Sequence, residues 1–208
     1  MRKLGVFSGK GGVGKTTVSI NLAATLAHDF SKNVLLVEGN VTTPHLGHFL
    51  DLKPEDGRTE VFPRLYVDAY PESLEKIREE IRISQGYDFM ILDTAPGLTE
   101  TSNALTEAVD EILVVTSPKM DSIVDVLRLK ENIDKDSIIH GMVYNRVKNK
   151  GYEVKPEKAE RKTGLPVIEE IPEDKRIGEM NVFQEPVIKR HRDSEVHEVF
   201  SEISEYVL

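Results

Sequence analysis

The sequence predicts a doubly wound α/β fold, and three features point to it. Short β-rich runs alternate with helix-like stretches along the whole chain, most of the runs are continuously apolar, and a glycine-rich segment joins the first run to the first helix. Alternating strands and crossover helices build a mostly parallel sheet, and a strand covered by helices on both faces needs no polar side.

In chain order the expected strands are residues 3–7, 34–37, 65–69, 89–92, 112–115, 138–143 and 167–171. Residues 17–27 carry Val18, Leu22 and Leu26 at helical spacing, and residues 73–83 carry Leu74, Ile77 and Ile81. The last helix, residues 193–206, sets Val196, Val199, Phe200, Ile203 and the adjoining Val207 on one face and Glu195, Glu198, Glu202 and Glu205 largely elsewhere. A membrane-surface helix would carry Lys and Arg there, so this helix is expected to pack on the sheet. Residues 53–64 and 148–155 read as loops, the first a mobile one. No repeat, low-complexity tract or linker divides the chain, which leaves a single domain over residues 1–208.

Composition narrows the function. The 208 residues contain no cysteine, which excludes disulfides, thiolate metal sites and a cysteine nucleophile. A net charge of −9 disfavours a broad DNA-binding or anionic-lipid surface. With no apolar stretch of spanning or signal-peptide length, a cytoplasmic protein without a membrane anchor is expected.

Gly9-Lys10-Gly11-Gly12-Val13-Gly14-Lys15-Thr16 matches G-x-x-x-x-G-K-[ST] and lies between an expected strand and an expected helix. Glycines let successive N–H groups turn inward around a β-phosphate while the helix N-terminus adds its positive end. Lys15 would reach the β- and γ-phosphates, and the Thr16 hydroxyl would take one magnesium position. Asp93 ends the apolar run Phe89-Met90-Ile91-Leu92, placing an acid at the carboxyl edge of the sheet where it would hold the metal. These residues predict a binding site for ATP or ADP with magnesium.

From Lys10 to Thr17 the loop reads KGGVGKTT, which resembles the deviant phosphate-binding motif of the MinD/ParA group of P-loop ATPases, including the Mrp-like metal-cluster carriers. The resemblance continues at Val34 to Val37, at Asp93-Thr94-Ala95-Pro96-Gly97-Leu98, at Asn145-Arg146, and at Ile171-Pro172-Glu173-Asp174 with Pro186-Val187. It implies a seven- or eight-stranded sheet that dimerises face to face around two ATP molecules, each Lys10 reaching the partner's phosphates as an arginine finger does. It further implies that Asn145 and the backbone near Pro172 and Glu173 hold the base. Separately, Asn145-Arg146-Val147-Lys148 lacks the aspartate that accepts from guanine's amino edge, since Lys148 has only donors, so ATP is favoured over GTP.

The departures concern hydrolysis. Where the group carries D-x-D after the second strand, this chain has Glu38-Gly39-Asn40. Asn40 accepts no proton, although its amide oxygen could orient water, so slow turnover or none is expected. Glu38 is the second candidate for the magnesium shell, acting through water. His45 and His48, three apart, are a weak candidate metal pair, and Thr42 and Thr43 are expected to cap a short helix opened by Pro44. Lys189-Arg190-His191-Arg192 is the only basic run that could touch lipid or nucleic acid.

The leading expectation is an ATP-dependent dimerising switch with weak ATPase activity, Lys10, Lys15 and Asn40 acting at the phosphates. Its protein partner or cargo is not legible. Two alternatives stay open: a small-molecule phosphotransferase on the same loop, and a non-hydrolysing nucleotide-binding subunit. DNA segregation is disfavoured by the charge.

Overall fold

In the computed structural model, which describes residues 1–97, 99–133 and 137–208, the apolar runs assemble side by side. The strands are β1 (Arg2–Phe7), β2 (Val34–Gly39), β3 (Thr59–Phe62), β4 (Leu65–Asp68), β5 (Phe89–Thr94), β6 (Glu111–Thr116), β7 (Ile138–Val147) and β8 (Val167–Pro172). They form one sheet in the order β3-β4-β2-β5-β1-β6-β7-β8, parallel throughout except for the antiparallel β3–β4 pair. Leu98 of the resemblance lies outside the described residues.

Helices cover both faces, and the strands divide their side chains between them. Val34, Leu36, Leu4, Val6, Phe89 and Ile91 point into a core closed by α1 (Lys15–His28), α7 (Lys175–Phe183), α8 (Val187–Arg190) and α9 (Glu195–Val207). Leu35, Val37, Met90, Leu92, Ile112 and Val114 point into the other, closed by α3 (Leu74–Ile83), α4 (Glu100–Thr106), α5 (Met120–Asn132) and α6 (Pro156–Thr163). Two buried faces explain why these strands read as unbroken apolar runs. The short α2 (Leu46–Leu50) sits beyond β2.

The acidic last helix packs on the sheet's first helix. Val196, Phe200, Ile203 and Val207 are buried against α1, and Asp29 at the end of α1 lies 2.9 Å from His197 Nε2 and accepts from Ser201 Oγ at 3.0 Å. Among the described residues no helix is long and apolar enough to cross a membrane.

One expectation fails. Residues 53–64 are not a loop throughout: Pro54–Asp56 forms a 3-10 turn and Thr59–Phe62 forms β3, an edge strand hairpinned onto β4. The turn is closed by Arg64 at φ 68, whose N–H donates to Glu60 Oε1 at 2.9 Å. An edge strand of four half-exposed residues needs little apolar content, so its sequence carries almost no strand signal. Residues 148–155 are a loop as expected, pinned by the Glu153 carboxylate, which accepts from the N–H groups of Lys148 and Lys150.

What the topology gives the site is a switch point. After β1 the chain winds outward to β2 and β4, returns to β5 beside β1, then continues the other way through β6 to β8. The carboxyl ends of β1, β2 and β5 therefore face one crevice, where an open parallel sheet offers room for a ligand.

Candidate nucleotide site

The loop between β1 and α1 is shaped by its glycines and held from behind. Gly12 and Gly14 have φ of 77° and 95°, conformations that a side chain would strain. A Cβ on Gly14 would stand 2.1 Å from Asn145 Nδ2, and one on Gly9 would stand 2.4 Å from the Asp125 carbonyl oxygen of α5. Ser8 Oγ donates to the Lys10 carbonyl at 2.8 Å, and Asn145 Nδ2 donates to the Val13 carbonyl at 2.8 Å. Gly14 is the N-cap of α1 and offers no side-chain cap, so the first N–H groups of α1 remain available to an anion.

Three ionisable groups are buried at the carboxyl edge. Lys15, Glu38 and Asp93 are 7%, 1% and 2% exposed, and Glu38 is in register with Asp93 across β2 and β5. Burial pushes the Lys15 ammonium down, opposed by Asp93 and Glu38. Burial pushes Asp93 up, while Lys15 and the hydroxyls of Thr16 and Ser19 pull it back. Ser19 Oγ donates to Asp93 Oδ1 at 3.0 Å. The three line a cavity of about 290 Å³ with Gly12, Gly14, Thr16, Thr17, Asn40, His45, Arg146 and Asn181. One cation, two acids, a hydroxyl and a helix N-terminus suit a polyphosphate carrying a divalent metal.

Glu38 has a task the sequence reading did not give it. Its Oε2 accepts from the N–H groups of His45 at 2.6 Å and Leu46 at 3.0 Å, and its Oε1 accepts from Asn40 N–H at 2.9 Å. The carboxylate thus caps α2 from the strand below, and the expected capping by Thr42 or Thr43 is corrected: α2 starts at Leu46 with no side chain of its own as cap. Thr43 instead pairs with Asn40, whose Oδ1 accepts from Thr43 N–H at 3.2 Å and whose Nδ2 donates to Thr43 Oγ1 at 2.9 Å. Burial, then Asp93, raises Glu38 to about 7 against the pull of the three amides.

The remaining site residues separate. Lys10 Nζ lies 2.6 Å from Asp121 Oδ2 and lines a second cavity of about 310 Å³ with Gly11, Gly12, Val13, Lys119, Arg146, Tyr152 and Glu173. Asn145 is 2% exposed; its Oδ1 accepts from Arg146 N–H at 2.9 Å while its Nδ2 braces the loop through Val13. Glu173 is paired with Lys148 at 2.9 Å, and Pro172 ends β8 opposite Val147. His45 borders the first cavity and His48 is exposed; among the described residues no group of three or more His, Asp or Glu could hold a metal. Ser19, Asp121 and Asn181 join the site without having been expected there, while Arg146 was expected only as the neighbour of Asn145. Of those three, Ser19 carried a signal, lying four residues after Lys15 on the same helix.

A sequence profile described as the CobQ/CobB/MinD/ParA nucleotide binding domain matches residues 4–187. An uncharacterized ATP-binding protein of Methanocaldococcus jannaschii is 26% identical over 227 residues, covering 97% of this chain and 86% of the relative. The maintenance of carboxysome distribution protein A of Gloeobacter kilaueensis is 30% identical over 172 residues, covering 81% of this chain and 74% of that protein. Among solved structures, the septum site-determining protein MinD of Pyrococcus horikoshii, complexed with Mg-ADP, superposes with a TM-score of 0.89 at 27% identity, covering 99% of this chain and 95% of that one.

The buried acid pair has a pH signature. With Glu38 at about 7 in the folded chain against 4.5 ordinarily, the folded state binds more protons between those values, so stability falls as pH rises from 4.5 to about 7. Denaturant midpoints measured in a metal chelator should decline over that window, and Glu38→Gln should flatten the decline. An equal slope in both proteins would contradict the assignment.

Proposed function

We propose that this chain, which belongs to the CobQ/CobB/MinD/ParA nucleotide-binding family, is a cytoplasmic ATP-dependent dimerising switch with weak ATPase activity, built as one nucleotide-binding domain over residues 1–208. The observation that carries this reading is Lys10. Its ammonium pairs with Asp121 on α5, and Lys10 does not line the cavity that Gly12, Gly14, Lys15 and Thr16 share. A lysine that its own phosphates do not use has a purpose if a second copy brings phosphates to it.

In this reading Gly9 to Thr17 wrap the phosphates of ATP, Lys15 neutralises the β- and γ-phosphates, and Asn145, Pro172 and Glu173 border the base. Thr16 and Asp93 would hold the magnesium, while Glu38 fixes the segment that carries Asn40. The metal supplies charge neutralisation across the phosphates when bound. The relative that was solved with Mg-ADP supports the same ligands here. Lys10 of the second copy then meets charge that builds up during phosphoryl transfer.

Weak turnover follows from Asn40. Its amide oxygen already accepts from Thr43 N–H, and an amide takes no proton from water. The same observation favours a second reading, in which the γ-phosphate passes to a small acceptor or is not transferred at all. ATP with magnesium should move the protein from monomer to dimer on a sizing column, and Lys10→Ala should abolish the shift; an unchanged elution volume under saturating ATP would sink the switch. Asn40→Asp should raise ATP turnover by about a hundred-fold, the lower end of what a positioned general base contributes. No gain would mean that water activation is not what limits the reaction.

A further inference from the structure

α2 and α7 both line the nucleotide cavity beside the glycine loop. α2 contributes Phe49, with His45 as its N-cap, and α7 contributes Asn181. A helix of five residues cannot hold itself in place, because most of its N–H and C=O groups lack a partner within it. Side chains from outside fix α2. Glu38 takes the N–H groups of His45 and Leu46 at its start, Tyr70 Oη donates to the Leu52 carbonyl just past its end at 2.8 Å, and Gln184 Nε2 donates to the His48 carbonyl at 2.9 Å. Among the described residues this last is the one hydrogen bond that joins α2 to α7.

Gln184 takes up that place in a strained backbone. It is the C-cap of α7, left-handed at φ 55°, and its N–H returns to the Met180 carbonyl at 2.8 Å. Glycine fills such a position freely because it has no Cβ, whereas a glutamine is strained there. Strain of this kind points to a use for the side chain, and here the amide crosses to α2. The spacing agrees. Gln184 lies three residues beyond Asn181 and His48 three beyond His45, so the bond joins the two helices one turn away from the residues that line the cavity. The bond is exposed, while Leu46 and Leu50 of α2 and Met180 of α7 are buried, so it can open with both helices still seated on the core.

We propose that Gln184 is a positioning residue for the nucleotide: by tying α2 to α7 it holds the wall formed by His45 and Phe49 against the ligand and slows its release. This rests on the nucleotide reading above, adds what sets the residence time, and does not depend on dimerisation.

The test is stopped-flow release of ADP carrying a fluorescent N-methylanthraniloyl group, bound to the full chain with magnesium and chased with excess ADP. Gln184→Ala should release it about 2- to 10-fold faster, the ratio that one exposed hydrogen bond is worth. Gln184→Gly should release it equally fast while keeping its denaturant midpoint at or above the native value, because glycine relieves the left-handed backbone. A glutamine that served the fold alone would show a lowered midpoint and native release. His48→Ala should release at the native rate, since the acceptor is a main-chain carbonyl. Native release in Gln184→Ala and Gln184→Gly, or equal acceleration in His48→Ala, would overturn the proposal and leave the nucleotide site standing. A native chain that takes up no labelled ADP would overturn both.

Discussion

The site rests on the burial of unlike charges at one edge of a parallel sheet. Lys15, Glu38 and Asp93 bring one positive and two negative groups out of water, and neither ion pairing nor amide donors balance them fully. Such a cluster is costly in an interior unless counter-charges complete it. A polyphosphate with its divalent metal supplies both signs, which links the stability of this edge to ligand. Strand register creates the cluster: β2 and β5 lie side by side so that Glu38 meets Asp93, and α1 starts where Lys15 can face both.

Two braces keep the edge in shape, and both reach across the sequence. Asn145 on β7 ties down the Val13 carbonyl, which fixes the glycine loop. Glu38 on β2 gathers the amides of Asn40, His45 and Leu46, which fixes the segment after that strand. Any change in the charge around Glu38 is therefore felt by α2 and by Asn40, the residue nearest to the question of hydrolysis. A metal near Asp93 would change that charge and so act on the carboxylate that holds residues 40–46.

Much of this was legible in the sequence because it is local. Short β-rich runs, most of them continuously apolar, marked seven of the eight strands, and the spacing of Gly9, Gly14, Lys15 and Thr16 marked the cradle. Asp93 was legible because strand ends line the crevice of such a sheet. β3 was not, since an edge strand of four residues satisfies its backbone through one neighbour and needs no buried side chains. The cap formed by Glu38, the brace formed by Asn145 and the pair formed by Asp121 were not either. Each depends on a contact set by the fold, spanning 7, 132 and 111 residues, and no local pattern encodes such a contact. Thr42 and Thr43 misled because capping is a local rule, and here a carboxylate from the sheet did the capping.

The proposed switch stands on catalysis being completed from a second copy through Lys10. ATP turnover by the purified chain, with magnesium and no additive, measured over a wide range of protein concentrations, tests it most directly. The expected result is a specific rate that rises with concentration toward a plateau and disappears in Lys10→Ala. A specific rate that is constant from the lowest concentration upward and survives that substitution would contradict it, because each chain would then be acting alone.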